Sequence, residues 1–305
     1  MEQQSIMDRI LPANSSNSVA VHSTANPERS MKLGEILVAR GRITPVQVEK
    51  ILAEQKSSKL RFGEIAIKLG FARPKDVEEA LAQQFGYSRS DVATSLIPPK
   101  LVAALNPTLP FAEALRGLRS QLMLRWFDGS PGQAALAITS VDRGDGKSFI
   151  TANLGVVFAQ LGERTLVIDA DLRHPTQHQI FGVENRMGLS GILGGRAGLE
   201  EICPIASMSN LSVLPSGPLP PNPQELLGRQ DFAEMLNQLS TMYDVILVDT
   251  PSAQEASDAS VVAQRVRAAL IVGRKDRTRS AELNQLAAIM NSSGIQILGA
   301  TLNSF

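Results

Sequence analysis

From residue 134 onward, short apolar runs alternate with longer segments of helical spacing. Helices are predicted at Lys147–Leu161, Pro223–Thr241 and Ser280–Ser292. The predicted strands are Ala134–Thr139, Thr165–Asp169, Leu211–Leu214, Asp244–Asp249, Ala268–Val272 and Gln296–Leu302. Continuous apolar strands separated by helices are typical of a parallel sheet covered on both faces. The pattern therefore predicts a doubly wound, mainly parallel α/β domain.

The earlier part of the chain has a different, helical pattern that occurs twice. Residues 32–55 and 61–84 align without gaps, and ten of 24 positions are identical, among them Gly34/Gly63 and Pro45/Pro74. In each block a helix ends near a glycine, and a proline opens a second helix. The repeat predicts a small all-α domain over residues 31–107, after a flexible tail at 1–30 and before the α/β domain at 108–305.

Composition narrows the classes of function. The 305 residues carry 30 basic and 30 acidic side chains, so overall charge gives no case for binding nucleic acid. Cys203 is the single cysteine, which indicates a reducing cytoplasm and no disulfide. No run approaches the roughly 20 apolar residues of a membrane span.

The segment SVDRGDGKS, Ser140–Ser148, follows the first predicted strand and opens a predicted helix. It ends in the Gly-Lys-Ser of a phosphate-binding loop, but Val141 stands where the usual pattern has its first glycine. Backbone N–H groups at a helix N-terminus point at anions, Lys147 adds positive charge, and the Ser148 hydroxyl can complete a Mg²⁺ shell. The segment predicts a nucleotide site.

Aspartates end two further predicted strands. LVIDADLR carries Asp169 and Asp171, which at i and i+2 point to the same face, and VILVDTP carries Asp249. Ligands of parallel sheets bind beyond the carboxyl ends of the strands, so we expect these carboxylates beside the phosphate loop. Asp249 is suited to hold Mg²⁺ through water.

Together, GDGKS, LVIDADLR and VILVDTP resemble the Walker A, A′ and B motifs of bacterial tyrosine kinases of the exopolysaccharide chain-length-determinant type. These kinases share the P-loop fold of MinD and ParA ATPases, and the resemblance covers residues 111–305. It implies transfer of a phosphoryl group from Mg-ATP, with catalytic roles for Lys147, Asp171 and Asp169, the last as proton acceptor. The implied nucleotide contacts are Gly144, Asp145, Gly146, Lys147, Ser148, Phe149 and Asn303, and the implied Mg²⁺ contacts are Ser148, Asp171 and Asp249.

The resemblance extends to the pattern E-x-x-R-x-x-R formed by Glu113, Arg116 and Arg119, which in the family builds subunit contacts in a homo-oligomeric ring. From spacing alone, a solvated helix face with an i, i+3 ion pair is the alternative. The resemblance also implies a separate partner, the transmembrane polysaccharide chain-length regulator. We therefore expect a cytoplasmic kinase that this partner recruits to the inner membrane.

The chain has two tyrosines, Tyr87 and Tyr243, whereas the family is autophosphorylated on several tyrosines in a C-terminal tail. We expect Tyr243 to be a packed residue before the Walker B strand and the phosphorylated tyrosine to belong to a partner.

The repeat in the first hundred residues resembles the MshEN domain of type II secretion and pilus assembly ATPases. In part of that family two such motifs, separated by five residues, bind cyclic di-GMP. The implied ligand contacts here are Lys32, Leu33, Gly34, Arg61, Phe62 and Gly63, with Lys32 where the binding pattern prefers arginine. The alternative is a helical docking module whose glycines end helices.

Two other functions compete with a tyrosine kinase. One is a MinD/ParA-type ATPase switch, although Asp142 stands where that class carries its signature lysine. The other is a scaffold that binds ATP without turnover.

Overall fold

The computed structural model describes residues 31–58, 60–84, 97–255 and 257–304, so the predicted tail at 1–30 lies outside the described residues. One compact unit holds the described residues up to Gln84, and a second holds those from Ile97 onward. Within these ranges no helix is both long enough and apolar enough to cross a membrane.

The described residues of the first unit form four helices, and each block of the repeat supplies two of them. They are α1 (Leu33–Ala39), α2 (Pro45–Ser57), α3 (Phe62–Lys68) and α4 (Pro74–Gln84). Helices α1 and α3 begin in the same way, because the Glu35 carboxylate accepts the Lys32 N–H at 2.9 Å and the Glu64 carboxylate accepts the Arg61 N–H at 2.7 Å. Each interaction satisfies a donor at a helix start, which explains the Glu at the same position of both blocks.

The first helices of the two blocks pack against each other through glycine. A Cβ at Gly34 would lie 3.0 Å from the Phe62 ring, and one at Gly63 would lie 2.5 Å from Val77 Cγ1 and 3.6 Å from Leu33 Cδ2. Leu33 and Phe62 occupy equivalent positions of the repeat, so the contact is reciprocal. These glycines therefore allow close helix packing.

The second unit is a seven-stranded sheet, within the described residues, with helices on both faces. Its strands are β1 (Ala135–Ser140), β2 (Thr165–Asp169), β3 (Cys203–Pro204), β4 (Leu211–Leu214), β5 (Val245–Asp249), β6 (Ala268–Arg274) and β7 (Gln296–Asn303). The helices are α5 (Val102–Leu105), α6 (Pro110–Arg125), α7 (Lys147–Leu161), α8 (Gln177–Phe181), α9 (Gly188–Leu193), α10 (Pro223–Gly228), α11 (Gln230–Met242), α12 (Asp258–Val266) and α13 (Ser280–Ser292), with a 3₁₀ turn at Leu199–Glu201.

The sheet order is β3-β4-β2-β5-β1-β6-β7, and every pairing is parallel except that of β3 with β4. Two apolar cores cover its faces, one centred on α7 and the other on α11 and α12. The predicted doubly wound, mainly parallel α/β fold is confirmed.

Several elements differ from the sequence prediction. The helix predicted over Pro223–Thr241 is broken at Arg229, whose φ and ψ of −66° and 157° are extended because Gly228 ends α10. Helices α5, α8, α9 and α12 and the two-residue antiparallel strand β3 were not predicted. Strand β3 and helices α5, α8 and α9 are too short to show a clear period. Helix α12 does bury Ala259, Val262, Ala263 and Val266 at helical spacing, a signal that the sequence prediction missed.

Residues 97–105 also lie elsewhere than predicted, because they pack on the second unit. Leu101 and Ala103 are fully buried in the core around α7. The Asn153 side chain accepts the Ala103 N–H at 2.9 Å and donates to the Lys100 carbonyl at 3.0 Å. The division of the described residues thus falls before Ile97 rather than at the predicted residue 107.

The packing of α7 on the sheet generates a stability prediction. A Cβ at Gly155 would lie 2.7 Å from Val167 Cγ2 on β2. We expect Gly155→Ala to lower the free energy of unfolding by about 1–2 kcal/mol, because overpacking outweighs the gain in helix propensity. Urea denaturation measures it.

The matched control is Gly117→Ala on α6, where an added Cβ meets nothing within 4 Å. This change should stabilise the protein by up to about 1 kcal/mol. Equal effects of both substitutions would contradict the proposed contact with β2.

Candidate active site

The segment SVDRGDGKS forms a tight loop between β1 and α7. Gly144 and Gly146 have φ values of +88° and +91°, which residues with a side chain rarely adopt, and Gly146 is the residue that precedes α7. Val141, in place of the first glycine of the usual pattern, is buried in the core beneath the loop. The substitution therefore anchors the start of the loop.

Residues that follow β6 or end β7, on one side of β1, hold the loop in shape. The buried Asp145 carboxylate accepts the Asp142 N–H at 3.0 Å and the Thr278 hydroxyl at 3.0 Å. The Asp145 carbonyl accepts the Asn303 side-chain amide at 3.2 Å. Of the predicted nucleotide contacts, Asp145 and Asn303 thus make loop-stabilising bonds through their side chains.

Phe149, another predicted nucleotide contact, packs its ring against that of Phe111, with a distance of 5.3 Å between the ring centroids.

Strand register brings the predicted carboxylates together. Asp169 and Asp249 are directly paired at the ends of β2 and β5, and both are fully buried. Asp171 follows β2, and its Oδ2 lies 3.4 Å from the Lys147 Nζ at the start of α7. The structure therefore brings together Lys147, Ser148, Asp169, Asp171 and Asp249 at the carboxyl edge of the sheet.

Asp169 is held by backbone donors. Its Oδ2 accepts the N–H groups of Thr176 and Gln177 at 3.0 and 2.9 Å, and its Oδ1 accepts that of Asp171 at 3.3 Å. Burial, and next the charge of Asp249, raise the pKa of Asp169 well above its usual value. The carboxylate thus has a fixed orientation and a high proton affinity.

Asp249 has one oxygen in use and one without a partner. Its Oδ2 accepts the Gln177 side-chain amide at 2.8 Å, whereas the buried Oδ1 has no hydrogen-bond partner among the described residues. Burial raises the pKa of Asp249 to about 6, while Lys147, Gln177 and the nearby Ser148 hydroxyl act in the opposite direction.

The residues present fit a hydrated Mg²⁺. An unsatisfied buried carboxylate oxygen beside a serine hydroxyl needs a cation or a donor. The described residues contain no cluster of three or more His, Cys, Asp or Glu side chains arranged as metal ligands. Mg²⁺ usually keeps several waters and binds through few carboxylates and substrate phosphates, which this donor set matches.

Gln177 and Thr278 are functional residues that the sequence prediction missed. Each bonds to a motif residue far away in sequence, Gln177 to Asp249 and Thr278 to Asp145. No local sequence pattern indicates such contacts, although Gln177 does lie six residues after Asp171, at the start of α8.

The residues predicted to make subunit contacts have bonding partners within the second unit, whereas two of those predicted to bind cyclic di-GMP have exposed side chains. On α6, Arg116 forms an ion pair with Glu113 and donates to the Pro107 carbonyl, and Arg119 donates to the Val157 carbonyl at 2.7 Å. In the first unit Lys32 and Arg61 are exposed at equivalent helix starts.

The buried carboxylate of Asp249 generates a pH prediction. Its pKa is about 6 in the folded protein against 3.8 ordinarily, so between these values the folded state keeps a proton that the unfolded state releases. Its contribution to stability is therefore present below about pH 4 and lost as the pH rises through 6. We expect Asp249→Asn, without Mg²⁺ or nucleotide, to raise the free energy of unfolding at pH 7.5 by about 1–3 kcal/mol.

Urea denaturation from pH 4.5 to 8 measures this effect. The control is Asp244→Asn just before the same strand, because Arg164 lowers the pKa of Asp244 and its loss should destabilise the protein at pH 7.5. A stability of Asp249→Asn no higher than wild type at pH 7.5 would contradict the burial of an unpartnered charge.

Comparison with known proteins agrees with this geometry. Residues 136–302 match the CobQ/CobB/MinD/ParA nucleotide binding domain. The putative tyrosine-protein kinase CapB of Staphylococcus aureus is 36% identical over 199 residues, which cover 65% of this chain and 86% of CapB. The tyrosine-protein kinase Wzc of Salmonella typhi is 35% identical over 205 residues. These residues make up 67% of this chain but only 28% of Wzc.

Among solved structures, the chimerical protein CapA2B2 superposes with a TM-score of 0.62 and 33% identity, over 71% of this chain and 98% of that chain. The match to the nucleotide binding domain, over residues 136–302, falls on the second unit, where the site lies. The chain belongs to the bacterial tyrosine kinase family, built on the CobQ/CobB/MinD/ParA nucleotide binding domain.

Proposed function

We propose that this protein transfers the γ-phosphoryl group of ATP to a tyrosine hydroxyl within a capsule or exopolysaccharide system. One observation carries the proposal. The predicted phosphate loop ends at Lys147, whose side chain lies next to a group of three carboxylates, those of Asp169, Asp171 and Asp249. Membership of the tyrosine kinase family supports the choice of acceptor.

Each residue has a role that its surroundings suit. Lys147 and the backbone N–H groups at the start of α7 bind the β- and γ-phosphates. Ser148, Asp171 and Asp249 hold Mg²⁺, which when bound neutralises charge on the phosphoryl oxygens. Asp169 accepts the tyrosine proton, and the backbone N–H groups bonded to both of its oxygens fix the carboxylate for that role.

The acceptor tyrosine is proposed to lie on another molecule. Tyr243 packs against the core, as predicted, and precedes β5, whereas the carboxylates follow the strands. A five-residue strand is about 17 Å long. Tyr243 therefore lies near the amino ends of the strands, whereas the phosphate loop lies at their carboxyl ends. Tyr87 lies outside the described residues.

The proposed partner is the cytoplasmic segment of a transmembrane polysaccharide chain-length regulator, which brings the kinase to the inner membrane. The similarity to the chimerical protein CapA2B2 supports this pairing. We further propose that Glu113, Arg116 and Arg119 form contacts between subunits of a ring, since they lie together on α6.

The test of kinase activity combines the purified protein with Mg-ATP and that partner segment, followed by phosphotyrosine mass spectrometry. We expect phosphotyrosine on the partner, its loss in Lys147→Met, and no change in Lys50→Met on α2. Asp169→Asn should retain ADP binding while phosphotyrosine formation falls at least 100-fold.

Two outcomes would overturn parts of the proposal. Phosphate release without phosphotyrosine would indicate an ATPase switch. Unchanged phosphotyrosine formation in Asp169→Asn would assign the proton acceptor to another group.

For the first unit, we propose an MshEN-like domain that binds cyclic di-GMP and thereby regulates the kinase. The exposed Lys32 and Arg61 at equivalent helix starts support an anionic ligand. The glycines Gly34 and Gly63 also have packing roles, which a docking module shares.

Calorimetric titration of the full chain with cyclic di-GMP tests this regulation. We expect binding that Arg61→Ala weakens at least tenfold, because the guanidinium supplies both charge and a stacking plane. Lys50→Ala on α2 serves as the exposed control. Absence of binding heat at high micromolar ligand would leave protein docking as the role of this unit.

A further inference from the structure

Gln177, the first residue of α8, connects all three motifs of the site. Its side-chain nitrogen donates to Asp249 Oδ2 at 2.8 Å and to the Ser148 carbonyl at 3.0 Å. Its backbone N–H donates to Asp169 Oδ2 at 2.9 Å. The side chain is fully buried, so solvent does not compete for these bonds.

The amide of Gln177 has a single workable orientation. Both of its N–H groups face acceptors, one a carboxylate and the other a carbonyl, and a rotated amide would place its oxygen against them. The Gln177 Oε1 is itself buried without a partner among the described residues. The protein therefore accepts an unsatisfied oxygen here in order to keep the donor on Asp249.

This contact decides which oxygen of Asp249 is available. Because Gln177 occupies Oδ2, the remaining oxygen is Oδ1, which is buried and unpartnered next to the start of α7. A carboxylate that is fixed before the cation arrives loses less conformational freedom on binding.

We propose that Gln177 is a positioning residue for the divalent cation, because it holds Asp249 with Oδ1 available and ties that carboxylate to Ser148. The proposal rests on the nucleotide site proposed above and does not require that the phosphoryl acceptor be a tyrosine. Through this link, Mg²⁺ binding at Asp249 is coupled to the phosphate loop.

The test measures ADP affinity rather than catalysis. Binding of a fluorescent N-methylanthraniloyl ADP is titrated in EDTA and across a series of Mg²⁺ concentrations. For Gln177→Met, which keeps the side-chain length without the donor, the half-saturating Mg²⁺ concentration should rise at least tenfold, the range typical of residues that orient metal ligands. Affinity in EDTA should change no more than about twofold.

Three comparisons sharpen the result. Gln179→Met on the exposed side of α8 is the matched control and should behave as wild type. In an Asp249→Asn background, Gln177→Met should add no further loss, because it acts through that carboxylate. Gln177→Asn keeps the amide one methylene short and should raise the Mg²⁺ requirement in the same direction, which provides a second variant if the methionine variant does not fold.

An unchanged Mg²⁺ requirement in Gln177→Met would overturn the proposal, as would an equal loss of ADP affinity with and without Mg²⁺, which indicates general damage. Failure of the kinase proposal gives a different result from failure of the Gln177 proposal. In that case the wild-type protein forms no phosphotyrosine, but Mg²⁺ still strengthens its binding of ADP.

Discussion

The direct pairing of Asp169 with Asp249 in parallel register is the constraint on which the site depends. The pairing places two like charges side by side in a buried layer, with Asp171 two residues further on and Lys147 beside it. Burial and mutual repulsion both oppose this arrangement of carboxylates. A bound cation would relieve that repulsion, so the strand register contributes to the affinity of the site for a cation.

The loop and the carboxylates are held by different parts of the same sheet. Thr278, after β6, and Asn303, in β7, bond to Asp145 and set the shape of the loop from one side. Gln177, after β2, bonds to Ser148 and Asp249 from the other side. The loop between β1 and α7 is thus fixed from both sides of β1, by residues that follow or end β6 and β7 and by a residue that follows β2.

Sequence reasoning succeeded where information is local. Apolar runs marked six of the strands, and the motifs placed Lys147, Asp169, Asp171 and Asp249 at strand ends that a parallel sheet must bring together. It missed Gln177 and Thr278, because their partners lie 72 and 133 residues away and leave no periodic trace. For Asn303 it predicted a nucleotide contact, and it did not anticipate that the side-chain amide also donates to the Asp145 carbonyl 158 residues away.

The reciprocal contact in the helical unit links the two copies of the repeat. Gly34 of the first block receives Phe62 of the second, and Gly63 of the second lies against Leu33 of the first. Residues of both blocks form one apolar core, so each block buries its apolar side chains against the other. A larger side chain at either glycine would therefore have to be matched by a smaller side chain in the facing block.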